Sequence, residues 1–361
     1  MTAMRWDLAD EPRPQQTLFD EPVFERQPGL GEYRGIEFLH VRAQRVINEV
    51  PGAPFGFRYT INPYRGCTHA CTYCFARPTH TYLDLDADRD FERRIVVKVN
   101  AVSHLRSELD PRRWRGDLIA MGTNTDPYQR AEGKYRLTRG IVEVLSEFAN
   151  PFSILTKSTL VLRDVSLLAE AARRTSVRVN LSIGTLDEQV WRATEPGTPH
   201  PLRRVRAVEQ LNAAGVPCGV LVAPVLPGLS DAPDQLEAVV EACVAAGARS
   251  ISTVLLHLRP GVREVFLPRL AVSHPHLVAD YGRRYRDRAY APRAEQQALD
   301  GLVRDLVRRH GGLAADRDDP EHMTGSSPTP VAVRGARQPA GPAPVPAGPI
   351  ADQTGDQLSL L

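Results

Sequence analysis

The sequence is nearly devoid of lysine: Lys98, Lys134 and Lys157 stand against 42 arginines. It holds only five cysteines in 361 residues. That number is odd and too small for a disulfide scaffold. No apolar run approaches the ~18 residues that a membrane-spanning helix needs. The N-terminus, Met1-Thr2-Ala3-Met4-Arg5-Trp6-Asp7, has no apolar core of a secretory leader. A charge excess is also missing. The formal net charge of +2 excludes a histone-like binder and an acidic tail protein, though not a local basic groove. Together these absences lead to an expectation of a cytoplasmic protein with no membrane partner. There, clustered cysteines mean metal or redox chemistry more often than a staple.

A hydrophobic fraction of 42% is enough to build a sizeable core. Residues 1–30 are rich in proline and acid and are expected to be disordered. A domain over 31–270 and a helical extension over 271–310 follow. The tail 311–361 has eight prolines and no aromatic residue, which predicts a disordered, extended linker.

Inside the compact region, short β-branched runs alternate with helical patterns. The runs are 59–62, 118–122, 152–156, 177–183, 218–224 and 250–256. Helical patterns follow at about 138–149, 163–174, 202–214 and 233–246. Continuous apolar strands separated by helices predict a parallel sheet covered by helices. The expected class is α/β: a partial (β/α)6 TIM-like barrel with a C-terminal helical extension and disordered termini. An extra strand at 95–99, with a helix to about Leu109, fits between the first two units. In such barrels function gathers at the C-terminal strand ends.

After the first strand comes Gly66-Cys67-Thr68-His69-Ala70-Cys71-Thr72-Tyr73-Cys74-Phe75. Cys67, Cys71 and Cys74 are spaced C-x3-C-x2-C on one loop. Three thiolates would leave one iron of a 4Fe–4S cluster without a protein ligand, and so open to substrate. A zinc site with His69 or His80 as fourth ligand satisfies the same count.

This spacing resembles that of the radical S-adenosylmethionine enzymes. The resemblance implies a 4Fe–4S cluster on Cys67, Cys71 and Cys74, with S-adenosylmethionine on the fourth iron. Reductive cleavage then yields a 5′-deoxyadenosyl radical that abstracts hydrogen, and an electron donor of flavodoxin or ferredoxin type supplies the electron. Further motifs narrow the resemblance. Asn62-Pro63-Tyr64-x-Gly66-Cys67, Thr125-Asp126-Pro127-Tyr128-Gln129, Leu155-Thr156-Lys157-Ser158, Ser182-Ile183-x-Thr185-Leu186-Asp187 and Glu195-Pro196-x-x-Pro199 occur in this order. They resemble the spore photoproduct lyase-like branch, over roughly residues 59–260. By that resemblance Tyr73, Thr125, Asp126, Lys157 and Ser182 bind the cofactor, with Asn180 a weaker candidate. Glu195, Arg204, His257 and Arg259 are placed at the same pole without a role.

One departure stands out. The branch carries a hydrogen-donor cysteine just before the Ser-Asp pair, whereas Met121-Gly122-Thr123-Asn124-Thr125-Asp126 has none. Cys218 and Cys243 read as small core residues. Nucleic acid is the favoured substrate, in a DNA-repair-like lyase. Radical modification of a peptide, RNA or metabolite is the alternative, and a non-catalytic metal-binding module is another. The segment Tyr281–Arg293 interleaves Arg with Tyr, which suits phosphates and bases. It equally suits an arginine-rich helix that packs its tyrosines on the barrel. Finally, Gln15–Phe19 and Gln357–Leu361 resemble peptides that dock on the bacterial sliding clamp.

Overall fold

A computed structural model describes residues 23–50 and 56–312. The chain divides into two units, Met1–Ser327 and Pro328–Leu361, and every described residue lies in the first. The two clamp-like motifs, and nearly all of the tail, lie outside the described residues.

The strands are β1 Glu25–Pro28, β2 Glu37–Val41, β3 Ile47–Glu49, β4 Tyr59–Ile61, β5 Tyr64–Arg65, β6 Arg94–Lys98, β7 Ile119–Met121, β8 Phe152–Thr156, β9 Val177–Ser182, β10 Cys218–Val225 and β11 Ile251–Leu255. Seven of them form one sheet in the order β11-β10-β9-β8-β7-β4-β3. β4 and β7 to β11 run parallel and are the six predicted strands. The sheet does not close: β3 lies antiparallel along β4 at one edge and β11 forms the other. The fold is therefore a partial barrel. Buried Ile119, Ile154, Val179, Leu181, Val220 and Val222 form its middle. Helices Leu137–Glu147, Val165–Arg174, Pro201–Ala213 and Pro233–Ala245 stand where the sequence predicts them.

Three features differ from the sequence expectation. The strand expected at 95–99 is not part of the barrel. As β6 it joins a second sheet, in the order β1-β2-β6-β5. Its parallel partner is β2, more than 50 residues upstream, and local periodicity does not name distant partners. The segment expected to be disordered through residue 30 contains β1, antiparallel to β2. Pro28 ends that edge strand, where a missing N–H is tolerated.

The third difference concerns the extension. Helix Arg293–Arg309 buries Leu299, Val303, Leu306 and Val307 in the barrel core. Each such side chain contributes about 1.5–3 kcal/mol. Gln296 accepts the Leu255 N–H at 2.8 Å, and the Thr253 hydroxyl bonds Asp300. This helix covers β11 and completes the sixth βα unit. Among the described residues, no helix is long and apolar enough to cross a membrane.

Candidate active site

The cysteine loop leaves the C-terminal end of β4 and is anchored on both sides. Asn62 donates to the Thr123 hydroxyl at 3.1 Å and accepts the Asn124 N–H at 3.0 Å. This ties the loop to the segment after β7. Gly66 turns the chain with φ +81°, and a Cβ there would stand 2.8 Å from the His80 ring and the Phe91 carbonyl. Only glycine fits both the angle and the space.

Cys67 and Cys71 are buried, Cys74 is partly exposed, and none is in a disulfide. Burial pushes all three thiols up. Asp126 and the other two thiols add to this at Cys67. Glu195 adds to it at Cys71, while Lys157 and Arg204 oppose it. Such a group keeps its proton until a metal replaces it, and then becomes a thiolate ligand. Three of them on one loop are a donor set suited to an iron–sulfur cluster.

The two imidazoles weighed as zinc ligands are engaged elsewhere. His69 Nδ1 lies 3.3 Å from Asp126, and His80 Nε2 lies 2.9 Å from the Arg94 carbonyl. Among the described residues, no three thiol, imidazole or carboxylate groups converge on a single ion position. Thiolates that each bind a separate iron need no such convergence.

The loop backbone is held from beneath. Thr125 donates its hydroxyl to the Gly66 carbonyl at 2.7 Å. Gln129 donates to the same carbonyl at 2.9 Å and to Thr125 at 2.8 Å, and accepts the Thr68 N–H at 3.1 Å. Arg77 is fully buried and donates twice to the Cys71 carbonyl, at 3.0 and 2.8 Å. Glu92 neutralises it at 2.5 Å and also takes Arg269 at 2.9 Å.

Gly197 closes the other side. A Cβ on it would sit 2.3 Å from the Thr68 carbonyl and 2.8 Å from that of His69. Gly197→Ala must push the two backbones apart. The expected loss is about 1–3 kcal/mol. It should appear as a lower melting temperature together with reduced iron uptake on reconstitution.

Three of the predicted cofactor residues, Tyr73, Lys157 and Ser182, meet in a polar hub beside Cys71. The buried Glu195 carboxylate accepts from the Tyr73 phenol and from Arg204, and lies 3.1 Å from Lys157 Nζ. Lys157 also donates to Ser182 Oγ at 2.7 Å and to the Ala223 carbonyl at 3.1 Å. Ser182 donates to that carbonyl at 2.7 Å. Arg204 donates to the Ser182 carbonyl at 2.8 Å and to Thr198 at 2.9 Å. Burial alone would raise the Glu195 carboxyl, but Arg204 and Lys157 outweigh it and hold the pKa at about 2. Lys157 also faces the Tyr73 ring, at 5.6 Å. Lys157 and Arg204 around one carboxylate leave the hub with net positive charge, which suits an incoming carboxylate.

Asp126 lies close by but acts on the scaffold. It accepts from Thr156 Oγ1 at 2.6 Å, Lys157 N at 2.7 Å and Tyr128 N at 2.9 Å. Burial raises its carboxyl, but His69, the Lys157 N–H and the Thr156 hydroxyl bring it below the usual range. Thr125 and Asp126 thus stand where the sequence puts them, with their polar groups committed to the loops.

Of the other candidates, Asn180 sits within β9, facing Gly219 of β10. His257 forms a bridge with Tyr290. Arg259 reaches the Phe75 carbonyl. Tyr281 and Tyr285 are buried, bonding the Pro227 and Leu256 carbonyls at 2.8 Å each. Two of the tyrosines in the Arg/Tyr segment therefore pack on the barrel and offer no face to a base. Cys218 and Cys243 are buried in the core. Of the three lysines only Lys157 belongs to the site. Lys98 is buried in the second sheet, where desolvation and Arg65 lower its pKa to about 7. Lys134 caps the Phe38 and Tyr135 rings.

The sequence model of the Radical SAM superfamily matches residues 61–243. Uncharacterized proteins of Mycobacterium bovis and Mycobacterium tuberculosis are 45% identical over 286 residues, covering 79% of this chain and 84% of theirs. An uncharacterized protein of Methanocaldococcus jannaschii is 31% identical over 198 residues, 54% of this chain and 70% of that one. Among solved structures, a point mutant of spore photoproduct lyase superposes with a TM-score of 0.56 at 17% identity, covering 77% of this chain and 80% of that one. The same lyase complexed with a dinucleoside spore photoproduct gives 0.53 at 17% identity and the same coverage. At that identity the likeness is one of fold.

Proposed function

The chain belongs to the Radical SAM superfamily, and from that premise we propose that Cys67, Cys71 and Cys74 carry a 4Fe–4S cluster and that S-adenosylmethionine binds beside it. The observation that carries the reading is the three free thiols on a braced loop, next to a buried hub of excess positive charge. When bound, the cluster and its cofactor supply one-electron cleavage to a 5′-deoxyadenosyl radical. The protein supplies position. Thr125, Gln129 and Arg77 fix the loop carbonyls, so the thiols hold a defined spacing. Asp126 locks the end of β8 and thereby places the Lys157 ammonium. Lys157 and Ser182 would hold the cofactor's carboxylate and ribose, and Tyr73 would give its adenine an apolar wall. An electron donor of flavodoxin or ferredoxin type completes the system.

The proposed substrate is a nucleic acid. The lyase of similar fold is complexed with a dinucleoside spore photoproduct, and the exposed Phe75 and Arg259 lie beside the cysteine loop here. The missing donor cysteine before Thr125 argues for a radical reaction other than that lyase's own.

The test is anaerobic reconstitution with iron and sulfide, then dithionite, S-adenosylmethionine and a mixed-sequence oligonucleotide, with chromatography for 5′-deoxyadenosine. Product formation is expected. Uptake of zinc with refusal of iron would overturn the reading, as would a loaded cluster that yields no product.

A further inference from the structure

At the mouth of the barrel, the segment after β11 and the cysteine loop each carry an exposed aromatic ring, Tyr290 and Phe75, on a stiff support. His257 bridges the backbone of Tyr290, and their rings stand 4.5 Å apart. Leu258 donates to the Ala289 carbonyl at 2.8 Å. Arg259 bonds the Phe75 carbonyl and lies over the Phe75 ring, 5.9 Å from its centre. Phe75 is 47% exposed and Tyr290 61%. Phe75 directly follows Cys74 in sequence, so this surface begins one residue from a proposed cluster ligand.

The loop between Tyr285 and Tyr290 is stapled from inside. Arg263 donates to the carbonyls of Leu258, Arg286 and Arg288 at 3.2–3.3 Å, and to that of Tyr285. With those carbonyls turned inward, Arg286 and Arg288 stay exposed. Neither has an ion-pair partner among the described residues, although Asp287 between them is also exposed. Neighbouring Arg284, by contrast, is spent on Glu295.

We propose that this ledge is where a single-stranded nucleic acid lies, its phosphates on Arg286 and Arg288 and its unstacked bases on Tyr290 and Phe75. The proposal rests on the nucleic-acid reading above and gives it a surface. Exposed arginines without ion-pair partners beside exposed aromatic rings match a strand that alternates charge with flat rings. A duplex would hide the faces that these rings need. The rigid backbone presents the rings in place, so little order is lost when the strand binds.

The test is fluorescence anisotropy of a labelled oligothymidylate with the reconstituted protein. Iron content and circular dichroism confirm that each variant is folded. Arg286→Gln/Arg288→Gln is expected to weaken binding tenfold or more and to flatten its salt dependence. Tyr290→Ala should weaken it between about fivefold and a hundredfold. If wild type binds the strand and both variants bind as tightly, the ledge is wrong and the nucleic-acid reading stands. If wild type binds no strand, both fall, and the radical chemistry is judged by its own test.

Discussion

Glu195→Ala is expected to cost about 3–5 kcal/mol of folding stability, the usual loss when one partner of a buried ion pair is removed. The size follows from what remains. Arg204 is 1% exposed and would keep its charge with only carbonyl and hydroxyl acceptors. Lys157 would lose its carboxylate partner, and the Tyr73 phenol its acceptor. Urea unfolding at pH 7 measures the change. A loss under about 1 kcal/mol would mean that water enters the hub and solvates Arg204.

Glu195 also sets an acid limit. Its carboxyl drops from the ordinary 4.5 to about 2 on folding. A depressed carboxyl contributes fully above its unfolded value and loses that contribution as pH falls toward its folded one. Glu195 should therefore withdraw stability between about pH 4.5 and 2. The Glu195→Ala variant should lack that part of the acid dependence of the melting temperature.

The barrel strands are legible because each is a short apolar run between helical patterns, and burial on both faces demands that pattern. The second sheet is not, since β2 pairs with β6 across more than 50 residues and no local feature marks the match. Its β1 hides among prolines and acids that read as disorder. The last helix reads as an appendage because the expected sixth βα unit is interrupted by nearly 40 residues between β11 and Arg293.

At the site, the cysteines and Lys157 are visible from spacing and scarcity. Glu195 and Arg204 can be placed at the right pole, but their pairing depends on where residues nine apart turn back. Arg77 escapes entirely, since one arginine among 42 carries no mark. Only its complete burial beneath Cys71 distinguishes it. Gln129 stands in a motif and His69 is a candidate zinc ligand, but their actual work is to bind backbone or a neighbour's carboxylate, which follows no spacing rule.

Replacing any one of Cys67, Cys71 or Cys74 with alanine should drop iron from about four atoms per reconstituted chain to less than one, and abolish 5′-deoxyadenosine. All three should fail alike, because an open iron is useful only if the other three are held. Cys218→Ala and Cys243→Ala are the matched controls. Both thiols are buried in the core away from the loop, so their loss removes little more than packing volume and should leave iron and product intact. Arg77→Met separates the ligand from its support. It keeps all three thiols but releases the Cys71 carbonyl, so iron should still bind, more weakly and with faster loss to a chelator. Iron retained in Cys71→Ala but lost in Cys218→Ala would place the metal elsewhere in the chain. Iron held equally firmly in Arg77→Met would mean that Thr125 and Gln129 alone set the loop.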